Sequence, residues 1–142
     1  TLRDTRRRYP HEIGLEWVVH YDKGNFTGRR ALLDAKAKGK AKHILLRVEV
    51  DGNKPAHDSF VYHGKGKKVG HVTSALWSPT VKRNIAYVEL ELPYGDGTKN
   101  NLYVEIYVEK ELRWEMVKAN ITIVDEPFFF PDRRRATPPG NF

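Results

Sequence analysis

The stretch LYVEIYVE, residues 102–109, alternates apolar and polar side chains without interruption. Leu102, Val104, Ile106 and Val108 share one face of the strand that this pattern predicts, and the tyrosines and glutamates between them share the other. A period of two residues is typical of a β-strand with one buried face, because successive side chains of a strand point to opposite sides. The stretch therefore predicts a chain built mainly from half-buried strands.

The same period recurs upstream of this stretch. Four further strands are predicted from it, at residues 44–50, 59–63, 69–74 and 86–92. Turn-forming residues separate these runs, since glycine, asparagine and aspartate favour the backbone angles that tight turns require. The sequence DGN follows the first run, and GKGK lies between the second and the third. These strands and turns predict a small all-β domain.

The sixth predicted strand follows residues 102–109 and changes its pattern partway along. Leu112, Trp114 and Met116 keep one phase, whereas Val117, Ala119, Ile121 and Ile123 keep the other. An extra residue in a strand shifts the phase in this way, so we predict a bulge or bend at residues 116–118. About six short strands give a small antiparallel barrel or sandwich.

One helix is predicted, at residues 28–38. Thr27 is of the N-cap type, Ala31, Leu32 and Ala35 make a narrow apolar stripe, and Gly39 is a typical C-terminal stop. We divide the chain into a lead-in at residues 1–42, a barrel at 43–126 and a tail at 127–142 that is rich in aromatic and basic residues.

Composition limits the classes of protein. The absence of cysteine excludes disulfides and thiolate metal sites, and the lack of a long apolar run predicts no membrane segment. We expect a cytoplasmic protein. The net charge of +7 is clustered near residues 6–8, 36–42, 65–68 and 133–135, and such patches attract polyanions or remain solvated. Thr1 is not an initiator methionine, and we expect the chain to be part of something longer.

Two blocks of sequence resemble a known family. VGHVTSALWSPTVKRNIA at residues 69–86 and HEIGLEWVV at 11–19, followed by DKGNFTGRRAL at 22–32, are similar to signatures of the aminomethyltransferase, or glycine cleavage T-protein, family. The likeness extends from about residue 10 to about residue 124. The tail at 128–138 is most similar to the branch of tetrahydrofolate-dependent aromatic O-demethylases and dimethylsulfoniopropionate demethylases.

The resemblance implies a terminal β-barrel that closes one side of a tetrahydrofolate site. The catalytic acid and the pterin-binding carboxylate would lie in a catalytic half, either upstream in the same polypeptide or in a separate subunit, so no catalytic residue is expected in this chain. The resemblance assigns folate contact to Trp77, Lys82 and Arg83 at the central opening. It also makes Arg133 a candidate ligand of the folate carboxylates, and Glu12 either a folate ligand or a structural anchor.

The residues give little support to nucleophilic catalysis or to metal binding. His71 lies three residues before Ser74, which by a strict period of two puts them on opposite faces and disfavours a nucleophile and base pair. No pair among the six histidines has the close spacing of a zinc site, so we predict no metal.

Two other classes of protein remain as alternatives. Tyr87, Tyr103 and Tyr107 with nearby basic residues could stack single-stranded nucleic acid, which we hold as a distant alternative. The other alternative is a stand-alone accessory barrel without catalysis.

Overall fold

The computed structural model describes residues 8–96, 101–134 and 136–137. Its six strands close into an antiparallel barrel, which confirms the all-β domain that the alternation predicted and the barrel that the resemblance implied. The strands are β1 (His43–Val50), β2 (Phe60–His63), β3 (Lys67–Ser78), β4 (Arg83–Glu91), β5 (Leu102–Lys110) and β6 (Arg113–Val124). One α-helix, α1 (Arg29–Ala37), precedes the barrel, and short 3₁₀ helices occur at Pro10–Ile13, Glu16–Val18 and Asp132–Arg134.

The strand order around the barrel is β1-β4-β3-β2-β5-β6, and β6 returns to β1. All six neighbouring pairs are antiparallel, so the connections after β1, β3 and β5 leave from the same end. We call this end the distal end. The start of β1 lies at the opposite end, which we call the lead-in end because residues 8–42 approach it.

The inward-facing residues of β1, β4 and β5 are those that the alternation predicted. The core contains Val48 and Val50 of β1, and it continues through the apolar phases of the other strands. The further buried members are Val61, Val69, Val72, Ala75, Ala86, Val88, Leu90, Leu102, Val104, Ile106, Ala119 and Ile121, joined by Ala56 of the β1–β2 loop. The side chains are mostly small and branched, which suits the narrow interior of a six-stranded barrel.

The predicted bulge at residues 116–118 is wrong. β5 and β6 pair in continuous register from Tyr103 opposite Asn120 to Lys110 opposite Arg113. The apolar pattern changes phase because β5 and β6 extend beyond their other neighbours, and at this extension apolar side chains occupy both exposed faces. Burial, which normally restricts apolar residues to one face, acts there only at Val108, which packs against the core.

The irregularities lie instead in β3. The register with β4 shifts between Val72 and Ser74, and the register with β2 shifts opposite Val61 and Tyr62. Because Thr73 is the extra residue of the first bulge, His71 and Ser74 pair with Glu89 and Tyr87 on the same exposed face. The expectation that His71 and Ser74 face opposite sides is therefore wrong. β3 also runs four residues further than predicted, to Ser78.

Helix α1 ends as predicted but begins differently. Gly28, with φ of 94°, is the N-cap, and no side chain caps the helix there, so Thr27 does not have the predicted role. At the other end Gly39 has φ of 55°, and the Lys40 amide donates to the Ala35 carbonyl at 3.0 Å, which satisfies an end carbonyl. Among the described residues, no helix has the length and apolar character needed to cross a membrane.

Candidate functional site

The turn between β3 and β4 brings together three of the five residues expected to bind folate. Trp77 lies directly opposite Asn84, and Ser78 lies opposite Arg83, with Lys82 in the turn between them. The turn is fixed locally because the Ser78 hydroxyl accepts a hydrogen bond from the Val81 amide at 3.4 Å. Trp77, Lys82 and Arg83 therefore lie at the same end of the barrel, Trp77 in the inward-facing phase and Arg83 in the outward-facing one, and we call these three residues the distal cluster.

Trp77 and Asn84 belong to the inward-facing phase at the mouth of the barrel. Trp77 is 42% exposed, whereas Asn84 is buried. The Asn84 amide nitrogen donates to the Gly52 carbonyl at 2.6 Å, and this bond ties the β1–β2 loop to the mouth. The Asn84 carbonyl oxygen is buried and makes no hydrogen bond. A buried acceptor of this kind normally takes a proton donor, from water or from a bound group.

The two cations of the distal cluster have different surroundings. Lys82 is exposed and has a left-handed φ of 54°. Arg83 donates from one terminal nitrogen to both carboxylate oxygens of Glu49, at 2.6 and 2.7 Å. A guanidinium has five N–H donors, so this ion pair leaves donors of the group for a second carboxylate.

Glu12 lies at the lead-in end and is buried. Its carboxylate accepts three backbone bonds, from Tyr9 at 2.8 Å, Lys42 at 3.0 Å and His43 at 3.3 Å. Burial acts on the Glu12 pKa most strongly and raises it, but the three amide donors and the charge of Arg8 together bring the pKa below its ordinary value. The carboxylate thus clamps the lead-in to the start of β1.

This position separates Glu12 from the distal cluster. The carboxylate contacts the amide of His43 at the first residue of β1, whereas Asn84 pairs with Val50 at the last. Seven residues of strand span about 23 Å. The geometry favours the anchoring interpretation of Glu12, and its contact with folate stays a prediction.

Arg133 is exposed in the 3₁₀ helix of the tail. The tail contacts the barrel through Phe128, whose ring meets Tyr87 edge-on with centroids 5.8 Å apart. Phe128 closes one side of a small apolar groove of about 100 Å³ on the outer surface of β3 and β4. Contact of Arg133 with folate stays a prediction.

The fold gives little support to nucleic-acid stacking on the tyrosines or to metal binding by the histidines. Tyr87 lies on β4, three strands away from Tyr103 and Tyr107 on β5 in either direction around the barrel, so the three tyrosines do not form one stacking surface. In the part of the chain that the structure describes, no group of three or more His, Asp or Glu residues could hold a metal ion.

Sequence reasoning did not identify Glu49 or Asn84. Asn84 could have been found, because it is a polar residue at an inward position of the alternation that continues through Ala86, Val88 and Leu90. Glu49 gave no local signal, since its role depends on the pairing of β1 with β4.

Residues 42–129 match the family described as the glycine cleavage T-protein C-terminal barrel domain. The aminomethyltransferase of Synechococcus elongatus is 37% identical over 121 residues, which are 84% of this chain and 30% of the relative. The aminomethyltransferase of Caldanaerobacter subterraneus subsp. tengcongensis is 33% identical over 120 residues, 84% of this chain and 29% of the relative.

A solved structure shows the same fold. The glycine cleavage system aminomethyltransferase T from Bartonella henselae superposes with a TM-score of 0.63 at 19% identity, over 84% of this chain and 32% of that one. The chain thus spans less than a third of the length of each of these three proteins.

Proposed function

This chain belongs to the family of glycine cleavage T-protein C-terminal barrel domains, and we propose that it closes one side of the tetrahydrofolate site of a methyl- or aminomethyl-transferring enzyme. The observation that carries the proposal is the distal cluster, which lies within the matched residues and joins an exposed indole to two cations. When bound, tetrahydrofolate supplies the nitrogen that accepts the one-carbon group. A cytoplasmic location is part of the proposal.

The distal cluster suits the outer part of a folate molecule. Lys82 and Arg83 would hold the carboxylates of its glutamate tail, because guanidinium and ammonium groups form strong charge-assisted bonds with carboxylates. Trp77 would cover the apolar surface of the ligand, and the unpaired oxygen of Asn84 would accept a hydrogen bond from it. The residues present therefore fit the cofactor chemically.

The catalytic half is the partner that the proposal requires. Relatives are more than three times as long as the region they share with this chain. In the lead-in, Trp17 is 77% exposed, and Leu15 and Val18 are exposed beside it. Exposed apolar residues that lie together mark contact surfaces more often than solitary ones do. We infer that the lead-in packs against the catalytic half.

The finer assignment rests on the tail. We propose that the enzyme is an aromatic O-demethylase, because residues 128–138 resemble that branch of the family. In this reaction a methyl group moves from an aryl ether oxygen to a folate nitrogen, and the proton that this nitrogen loses balances the one that the departing phenolate takes up. The tail packs on the barrel through Phe128, so it is positioned as part of the domain. A comparison of methylated phenols with aminomethyl donors, as substrates of the complete enzyme, tests this assignment.

The folate role is tested by binding to the complete transferase. We expect the Lys82→Gln, Arg83→Gln double variant to bind polyglutamyl tetrahydrofolate about tenfold more weakly, because two charged contacts to the tail are removed. Binding of the monoglutamyl form should change less. Lys65→Gln, in the β2–β3 turn at the lead-in end, is the matched control. An unchanged preference for the polyglutamyl form in the double variant would contradict the assignment of Lys82 and Arg83.

A further inference from the structure

The extension of β5 and β6 beyond the barrel forms a two-stranded arm. The last residue of β5 that pairs with β2 is Val104, and the first residue of β6 that pairs with β1 is Ile121. Between these points β5 and β6 pair with each other alone among the described strands. We call residues 107–117 the ribbon. It projects at the distal end, the end that also carries Trp77 and Lys82.

The ribbon exposes large apolar side chains on both faces. Tyr107 is 63% exposed, Trp114 71% and Leu112 93%, and Met116 and Val117 are exposed as well. Such a cluster is unfavourable in water at about 25 cal/mol for each Å² of apolar surface. A hairpin of two strands is also marginally stable by itself. The ribbon therefore has the properties of a surface that a partner covers.

The tip of the ribbon gives independent support for a covered surface. Glu111 and Leu112 have left-handed φ angles of 51° and 62°. This conformation costs a residue other than glycine about 1 kcal/mol or more, and asparagine or glycine would occupy the turn at lower cost. Leucine has no local reason to stand there, because its side chain packs on almost nothing in the chain. Insertion of Leu112 into an apolar pocket of a partner accounts for the residue.

The charges of the ribbon indicate the chemistry of that partner. Lys110 faces Glu115 at 4.0 Å, and at the base of the ribbon Lys118 faces Glu105 at 3.8 Å. Glu109, Glu111 and Arg113 are also exposed, and residues 107–117 together carry a net charge of −1, so the ribbon repels a polyanion weakly and its contact surface is mainly its apolar side chains. A polyanion would bind more favourably at the basic patches elsewhere on this chain of net charge +7. The covering surface is therefore apolar protein.

We propose that the ribbon is an arm that holds the catalytic half of the transferase beside the folate opening, with Leu112 and Trp114 as its anchors. The ribbon lies within the residues that match the family domain, and this chain covers 32% or less of the compared relatives, so most of their mass lies outside the barrel. The proposal rests on the proposed function, since it requires a catalytic half. It adds a second attachment point at the end opposite the lead-in.

The test is titration of this chain with a separately produced catalytic half, by isothermal calorimetry. Leu112→Asp and Trp114→Ser should each weaken binding at least tenfold, and Phe129→Ser, at an exposed apolar residue of the tail, should bind like the wild type. Far-UV circular dichroism checks that each variant remains folded. Since the substituted side chains are exposed, we expect the spectra to agree.

The outcomes separate the two proposals. Wild-type affinity of both ribbon variants would overturn the ribbon proposal and leave the proposed function intact. No binding by the wild-type chain would overturn both. Sedimentation analysis of the chain alone detects self-association, and a dimer that the ribbon variants abolish would identify a second copy as the occupant and also overturn the proposal.

Discussion

The two ends of the barrel differ in how their polar and apolar groups are satisfied. At the lead-in end the buried carboxylate of Glu12 has three amide donors, and Arg8 forms an ion pair with Glu89 of β4. At the distal end Asn84 has an unpaired buried oxygen, and Trp114 is largely exposed. Polar groups that are fully paired within the chain account for stability, whereas an unpaired polar group at a mouth is a candidate for binding. The difference places the polar clamp of the lead-in at one end and the proposed folate contacts at the other, while exposed apolar residues occur at both, as Trp17 and Trp114.

Loss of the Glu12 clamp should have the largest effect on stability. Glu12→Ala leaves the amides of Tyr9, Lys42 and His43 without their acceptor, and each unsatisfied buried amide costs about 1 to 3 kcal/mol. Because water would reach some of them, we expect a loss of about 3 kcal/mol in the free energy of unfolding. Urea denaturation measures it. Glu12→Gln, which keeps one acceptor oxygen, should lose about half as much of the free energy of unfolding. An unchanged urea midpoint in both variants would show that Glu12 does not stabilise the lead-in end.

A smaller loss is expected at the distal end, from Asn84→Ala. The substitution breaks the bond to the Gly52 carbonyl but also removes the unpaired oxygen, so a loss of about 1 to 2 kcal/mol is expected. If tetrahydrofolate contacts this oxygen, the variant of the complete transferase should also bind the cofactor more weakly. Thermal unfolding with and without the cofactor measures both quantities. Equal stabilisation of variant and wild type by the cofactor would exclude Asn84 from the site.

Protonation of Glu12 should weaken the clamp less than its removal. The Glu12 pKa is lowered from an ordinary value of 4.5 because the amide bonds outweigh burial. The stabilisation by the ionised carboxylate is therefore complete above pH 4.5 and is lost as the pH falls through the folded-state pKa. Urea midpoints of the wild type and Glu12→Gln should converge below pH 4.5. If the urea midpoints of the two proteins instead change in parallel with pH, the charge of Glu12 does not contribute to stability.

The sequence predicted the regular part of the barrel better than its ends. Alternation identified the inward residues of β1, β4 and β5, because burial on one face imposes a period of two. It failed at residues 116–118, because these residues are exposed and burial does not impose the period there. The bulge at Thr73 was missed because it depends on pairing with β4. The resemblance proposed Trp77, Lys82 and Arg83 as folate contacts, which stays a prediction, and the ion pair of Arg83 with Glu49 could be seen only from the pairing of β1 with β4.

The smallest effect on stability is expected from Arg83→Gln. Its ion pair with Glu49 is well formed, but the Arg83 side chain is 62% exposed, and such pairs contribute about 0.5 kcal/mol or less. If the distal end serves binding, this variant should unfold like the wild type and yet lose part of the preference for polyglutamyl tetrahydrofolate. Urea denaturation and cofactor titration of the same preparation measure the two together. A loss of stability comparable to that of Glu12→Ala would make Arg83 a structural clamp as well, and the contrast between the two ends would then fail at this residue.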